Sequence, residues 1–240
     1  MALAEGKRGL NMKRLVQCTL IVWALLASIP SFGAVIYDNY SNGDVPYVDG
    51  LVSDFRWTDQ VQQGDSFSFG KGSYAITDVH WWGFYGLYPN TAPPVADDFS
   101  VRIFHFDAAG PTNSFFDLQV LNMTRAATSE QTLFWGDYYP VYEYSADVTA
   151  LTLPGETPFL LSIVNNVGDM SIDAGYGWFW VVNNGGDLSH YWQNANIGWA
   201  PTSYYNMAFQ LTGAQVPEPA TLLLLGIGLM GLAGVKRSRY

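Results

Sequence analysis

Cysteine is nearly absent. The 240-residue chain has one, Cys18, and it falls in an apolar N-terminal stretch. Past that stretch no disulfide framework, cysteine nucleophile or cysteine metal site can be built, which suits a protein of an oxidising envelope. Basic side chains are scarce as well. Between residues 35 and 215 only Arg56, Lys71, Arg102 and Arg125 are basic, against nineteen aspartates and glutamates. The resulting excess of negative charge repels nucleic acid and anionic lipid headgroups. It leaves neutral glycans, cations and neutral surfaces as partners. Aspartate far outnumbers glutamate here, which favours turns and caps over helix surfaces. No window shows a 3.6-residue apolar stripe, and no fixed-period repeat exists, which argues against a propeller or solenoid.

Catalytic signatures are missing too. His80, His105 and His190 are the three histidines, and they form no H-x-H or H-E-x-x-H spacing. There is no G-x-S-x-G nucleophile elbow and no glycine-rich phosphate loop. Many carboxylates exist, but their order singles out no pair for glycoside hydrolysis. The expectation is a non-enzyme without a cofactor, and no metal ligands are assigned. Structural calcium is a candidate, since Asp38-Asn39, Asn42 with Asp44, Asp97-Asp98 and Asn165-Asn166 with Asp169 supply hard oxygens on turns. The plainer reading is that these residues make turns.

The ends of the chain carry the sharpest signals. Lys13-Arg14 precedes an apolar stretch over 15–27, and Pro30, Ser31, Phe32, Gly33 and Ala34 follow. That is the order of a secretory signal peptide. Cleavage is expected after Gly33 or Ala34, with Met1 or Met12 as the start. At the other end, Val216-Pro217-Glu218-Pro219 leads into an uncharged apolar run over 220–235, closed by Lys236, Arg237, Ser238, Arg239 and Tyr240. Each proline fixes φ, lacks an amide proton and pushes the preceding residue to extended geometry. Residues 216–219 should be an exposed, extended tether outside the sheet, the form of backbone a protease grips. As a helix the apolar run spans about 24 Å, short of the ~30 Å hydrocarbon core, and the basic residues form a cytoplasmic stop.

This tail resembles the PEP-CTERM sorting domain, also labelled the ice-binding protein C-terminal domain. The resemblance rests on V-P-E-P, the apolar run and the basic end. It implies a Gram-negative envelope, an exosortase-type membrane protease as partner, transient membrane anchoring through residues 220–235, and cell-surface or extracellular release into an exopolysaccharide or biofilm matrix. The domain division is then 1–34 signal peptide, 35–215 body and 216–240 sorting and membrane segment.

Within the body, short β-rich runs alternate with Gly, Pro, Asn and Asp clusters. Strands are expected at 35–40, 55–60, 66–69, 74–85, 99–107, 115–120, 132–135, 141–145, 159–165, 176–182, 189–193 and 207–211. Phe99, Val101 and Ile103 alternate with Ser100 and Arg102. The fold class is all-β, an antiparallel two-sheet sandwich that is jelly-roll-like, with an N-terminal signal helix and a C-terminal hydrophobic helix. The runs at 74–85, 96–99, 141–145, 159–166 and 176–180 also resemble β-sandwich bodies of exported PEP-CTERM proteins. That likeness bears on fold and not on activity.

Tryptophan is abundant: Trp57, Trp81, Trp82, Trp135, Trp178, Trp180, Trp192 and Trp199 lie in the body. Neighbours Trp81 and Trp82 must point to opposite faces of a regular strand, so one leaves the core unless another layer covers it. Trp178 and Trp180 share a face opposite Phe179. Exposed aromatics can stack on sugar rings, and Tyr191, Trp192 and Trp199, near Gln193, Asn194 and Asn196, are the candidate glycan site. A groove lined by Trp192 and Trp199 would favour that reading. The functional expectation is an exported, non-catalytic surface or matrix protein. A carbohydrate-binding module is the alternative, an envelope enzyme the third reading, and an ice-binding body is weakened by the lack of threonine ladders.

Overall fold

The computed structural model describes residues 33–40, 50–54, 61–86, 96–107, 109–134, 136–166, 177–183, 190–194, 196–202, 205–217 and 225–226. All lie in one compact unit, Gly33–Tyr240. Its strands are β1 Ala34–Asp38, β2 Gly50–Val52, β3 Gln62–Phe67, β4 Ser73–Gly86, β5 Phe99–Asp107, β6 Gly110–Leu118 and β7 Val120–Phe134. They continue as β8 Asp137–Pro154, β9 Phe159–Asn165, β10 Gly177–Asn183, β11 His190–Asn194, β12 Ile197–Thr202, β13 Asn206–Met207 and β14 Phe209–Val216.

Two antiparallel sheets pack as a sandwich. The smaller has six strands in the order β12-β11-β3-β9-β5-β6. The larger has eight and is built around the long β4, with β8 and then β7 on one side. On its other side β4 pairs with β14 over Ser73 to Trp81 and with β10 over Gly83 to Gly86. β14 is backed by β1 and β10 by β2. Where β10 leaves β4, Ala208 bridges the gap, accepting from Trp82 N at 3.4 Å and donating to Val181 O at 2.9 Å.

β5 and β9 coincide with the expected strands, because alternation and continuous burial are both plain in their sequences. β7 was expected only over 132–135 yet runs from Val120. Among the described residues it is an edge strand, mostly exposed, paired only with β8 and broken by register shifts after Leu121 and Ala127. Asn122 sits at the first shift with φ 47°. A solvated, bulged edge has no apolar period to detect. β2 and β12 were missed because they are short or broken by Gly and Pro. The expected strand at 55–60 lies outside the described residues. So do the signal helix and nearly all of the C-terminal helix, of which Leu225 and Gly226 are described and helical. No described helix is long and apolar enough to cross a membrane.

Aromatic rings join the sheets. Phe99 of β5 meets Trp81, Tyr144 and Trp178 of the larger sheet edge-on at 5.4, 5.1 and 4.9 Å. Trp81, Trp178 and Trp180 are fully buried. Trp82, on the other face of β4, is buried as well, because Tyr40 stacks on it at 3.9 Å with the rings 3° from parallel. The segment after β1 is thus the layer that removes Trp82 from water. Gly83 leaves room for the Trp178 indole, since a Cβ there would stand 2.5 Å from the ring. Gly83→Ala should therefore destabilise the fold by about 1–3 kcal/mol through overpacking. A urea midpoint equal to that of the unaltered protein would contradict this.

Two buried aspartates tie the sheets together. Asp65 of β3 accepts Asn39 Nδ2 at 2.6 Å and the Met207 amide at 2.7 Å. Asp54 accepts Asn165 Nδ2 at 3.3 Å and the Trp178 amide at 3.2 Å. These carboxylates act as internal caps and not as surface charge.

Candidate functional site

Strand alternation separates the three residues expected to form a glycan platform. Tyr191 and Trp192 are consecutive on β11 and point to opposite faces of the smaller sheet. Trp192 shares the inner face with His190, opposite Gln63 and Asp65 of β3. Tyr191 points outward and meets Phe106 of β5 edge-on at 5.4 Å. Trp199 of β12 also points outward and meets Phe104 of β5 at 5.0 Å. Three strands separate β12 from β5, so these contacts require the smaller sheet to curl about its outer face. Tyr191 and Trp199 therefore share a concave aromatic face, half-buried, and Trp192 does not belong to it.

Trp192 lines a different feature, a cavity of ≈ 260 Å³ at the margin between the sheets, with Leu51, Gln63, His190, Thr202 and Tyr205. Its polar groups are ordered. Gln63 Nε2 donates to Val52 O at 2.9 Å, which turns Gln63 Oε1 toward His190 Nε2 at 2.6 Å. A carbonyl oxygen only accepts, so Nε2 carries the proton. The Thr202 hydroxyl beside Nδ1 can donate to a neutral imidazole. Burial agrees, lowering the His190 pKa to about 4. The cavity is thus lined by an indole, a phenol ring and a leucine beside a hydrogen-bonded amide–imidazole–hydroxyl chain. Sequence order gave no signal for it, because β3 reads Gln-Gln-Gly-Asp and shows no apolar alternation.

His80 lies in another place, on the outer face of β4. Its Nε2 is 2.7 Å from Asp78 Oδ1 and its Nδ1 is 3.1 Å from Glu143 Oε1. The hydrogen bond to Asp78 raises its pKa most; burial opposes this, and the bond to Glu143 adds to the rise. Near it, Tyr40 donates its hydroxyl to Glu130 at 2.8 Å. Burial first, then this carboxylate, raises the Tyr40 pKa. His105 packs between Phe116 and Phe159. The three histidines are thus dispersed. Among the described residues no group of three or more His, Cys, Asp or Glu is placed to hold a metal. The aspartates and asparagines considered for calcium are mostly engaged: Asp38 with Tyr40 N, Asn39 with Asp65, Asn165 with Asp54. Asp97 accepts from Tyr85 at 2.7 Å and from Arg125 at 2.9 Å. Asn42, Asp44 and Asp169 lie outside the described residues.

His190 and His80 predict opposite pH effects. Protonation of folded His190 is deferred from 6.5 to about 4. As pH falls from 6.5 toward 4, the unfolded chain gains a proton that the folded one refuses. Stability drops by up to about 3 kcal/mol and levels off below that range. His80 contributes stability that is complete below 6.5 and lost as pH rises through its raised folded value. Imidazole NMR should show His190 untitrated at pH 5.5 and His80 titrating above an ordinary histidine; the reverse order would contradict the assignment.

The sorting end has its own geometry. β14 runs through Val216, which pairs with Ser73 while Gln215 pairs with Tyr74. Val216 is therefore a strand residue and not part of a free tether. Proline forces the residue before it into extended geometry, which is strand geometry, and Val216 keeps its own N–H. The first missing amide donor is that of Pro217. Gln215 Nε2 donates to Lys71 O at 2.9 Å, and the Gly155 amide donates to Gly72 O at 2.5 Å. β1 begins beside this place, with Ala34 opposite Gly213. The strands where the body begins and ends thus meet at one end of the sandwich. Glu218, Pro219, Lys236, Arg237 and Arg239 lie outside the described residues.

Residues 215–238 match the family model of the PEP-CTERM protein-sorting motif. The motif implies export, transient membrane anchoring and processing by an exosortase-type membrane protease. Neither a curated protein nor a solved structure matches the chain.

Proposed function

We propose that this chain is an exported, non-catalytic protein whose sandwich is released to the cell surface or extracellular matrix after removal of its tail. The observation that carries the reading is the sorting motif at 215–238, joined directly to the last strand of the body. After processing the working protein is the acidic, cysteine-free sandwich, a composition suited to an oxidising, glycan-rich exterior. An epitope inserted at Gly136, in the β7–β8 turn where an added Cβ meets nothing within 4 Å, would report its location. The tagged body is expected in surface and matrix fractions, shorter than the full chain; confinement to the cytoplasm would overturn the reading. Turnover by the purified body on glycosidase or esterase substrates would overturn its non-catalytic part and favour the envelope enzyme.

A second reading, binding of neutral exopolysaccharide, is favoured by the half-buried rings of Tyr191 and Trp199 on the concave face and of Trp192 at the cavity. Aromatic rings stack on the apolar faces of sugars. The two places are separable: Trp199→Ala alters the concave face and Trp192→Ala the cavity. Loss of glycan-array binding in one variant alone would locate the site, and a flat response of the unaltered body to neutral and acidic glycans would remove this reading.

A further inference from the structure

The first residues of the sorting motif are also the last residues of the fold. Gln215 and Val216 fall within the match and within β14, hydrogen-bonded along β4. No spacer separates Val216 from Pro217. From Val216 to the start of the apolar run at Ala220 there are four residue steps, which reach at most roughly 14 Å when fully extended. A tail held in the membrane therefore brings one end of the sandwich to the bilayer surface. That end consists of residues 71–73, 154–156 and 215–216, beside the start of β1 at Ala34.

We propose that this end of the sandwich is the surface presented to the membrane protease, and that processing waits for Gln215 and Val216 to unpair from Ser73 and Tyr74. This rests on the reading that the tail is membrane-held and processed. A protease cleft surrounds an extended substrate strand, and a strand zipped into a sheet denies it one edge. Val216 is partly exposed, but its backbone lies against Ser73, and the Gln215 side chain is bound to Lys71 O. The other edge is open: among the described residues β1 reaches only to Gly213, so the last three residues of β14 are held from the β4 side alone. A strand end held on one side opens locally at small free-energy cost. The fold therefore slows cutting without preventing it, and the segment is cut in its open state.

Two alterations of the full chain test this, followed by pulse-labelling in membranes that contain the processing protease. A six-residue Gly/Ser spacer between Ala214 and Gln215 keeps the motif intact and frees it from the strand. It should raise the processing rate roughly three- to tenfold, because Gln215 and Val216 no longer wait for two strand pairs to open. An unchanged or slower rate would overturn the proposal. In the opposite direction, Ser73→Cys with Val216→Cys creates the only thiol pair in a body that has none. Antiparallel partners lie about 4.5–5.5 Å apart, within disulfide reach. The oxidised form should stall and its reduced form should be cut at the unaltered rate. Equal cutting of oxidised and reduced forms would overturn the proposal. If Val216→Cys itself blocks cutting in the reduced form, the spacer variant alone decides. Failure of the unaltered chain to be processed at all would instead remove the underlying reading of the tail.

Discussion

Replacing Pro217, Glu218 and Pro219 by alanine should leave the full-length chain in the membrane fraction and abolish the shorter released form. The two prolines impose a φ near −65°, remove two amide donors and keep the residue before each extended. Neither proline can donate to a strand ladder or sit in a helix interior. Alanine, the best helix former, lets a helix of the apolar run extend backward to Val216. The segment that a protease needs in extended form then becomes regular structure. The effect is all-or-none for release and nearly nil for the sandwich, because β14 ends at Val216. Immunoblots of membrane and medium fractions measure the first and an unfolding midpoint of the body the second. Unchanged release would sink the processing assignment, while a shifted midpoint would show that residues 217–219 belong to the fold.

Asp65→Ala should be the most damaging single change within the body, costing about 2–5 kcal/mol, because two buried neutral donors lose this acceptor at about 1–3 kcal/mol each. The Asp65 side chain is fully buried, and one carboxylate oxygen receives both Asn39 Nδ2 and the Met207 amide. These donors come from the segment after β1 and from β13, so the carboxylate fastens β3 of one sheet to two pieces of the other. Removing it takes this acceptor from a buried backbone N–H and from the Asn39 amide, which keeps only its longer bond to Met207 O at 3.2 Å among those it makes through Nδ2. Most single domains have only 5–15 kcal/mol to lose, so the variant should sit close to unfolding at ordinary temperature. Asp65→Asn keeps an acceptor oxygen and should recover part of the loss. An alanine variant within 1 kcal/mol of the parent would show that these bonds are replaceable.

How legible this molecule was can be judged from particular strands. β5 announced itself, because Phe99, Val101 and Ile103 face the core while Ser100 and Arg102 face out, and that alternation is written in order. Trp81 and Trp82 could be assigned to opposite faces from strand geometry alone, but the ring that covers Trp82 belongs to Tyr40, which no local pattern relates to it. Tyr191, Trp192 and Trp199 looked like one platform because they are close in sequence and aromatic. Alternation sends Trp192 inward, and the curl of the smaller sheet brings Tyr191 and Trp199 against β5. β7 hid because a bulged edge strand repeats nothing.

Residue order alone was sufficient for the address, the charge and the class of fold. Proline geometry, an uncharged run with a basic end, a deficit of lysine and arginine, and period-two alternation are all local properties that survive in an unfolded chain. Folding settled which aspartates are internal fasteners, which tryptophans remain reachable, and that the sorting motif begins inside the sheet. Those outcomes depend on pairings between residues as far apart as Asp65 and Met207, and on the accumulated twist of a sheet. No short window of sequence contains either quantity.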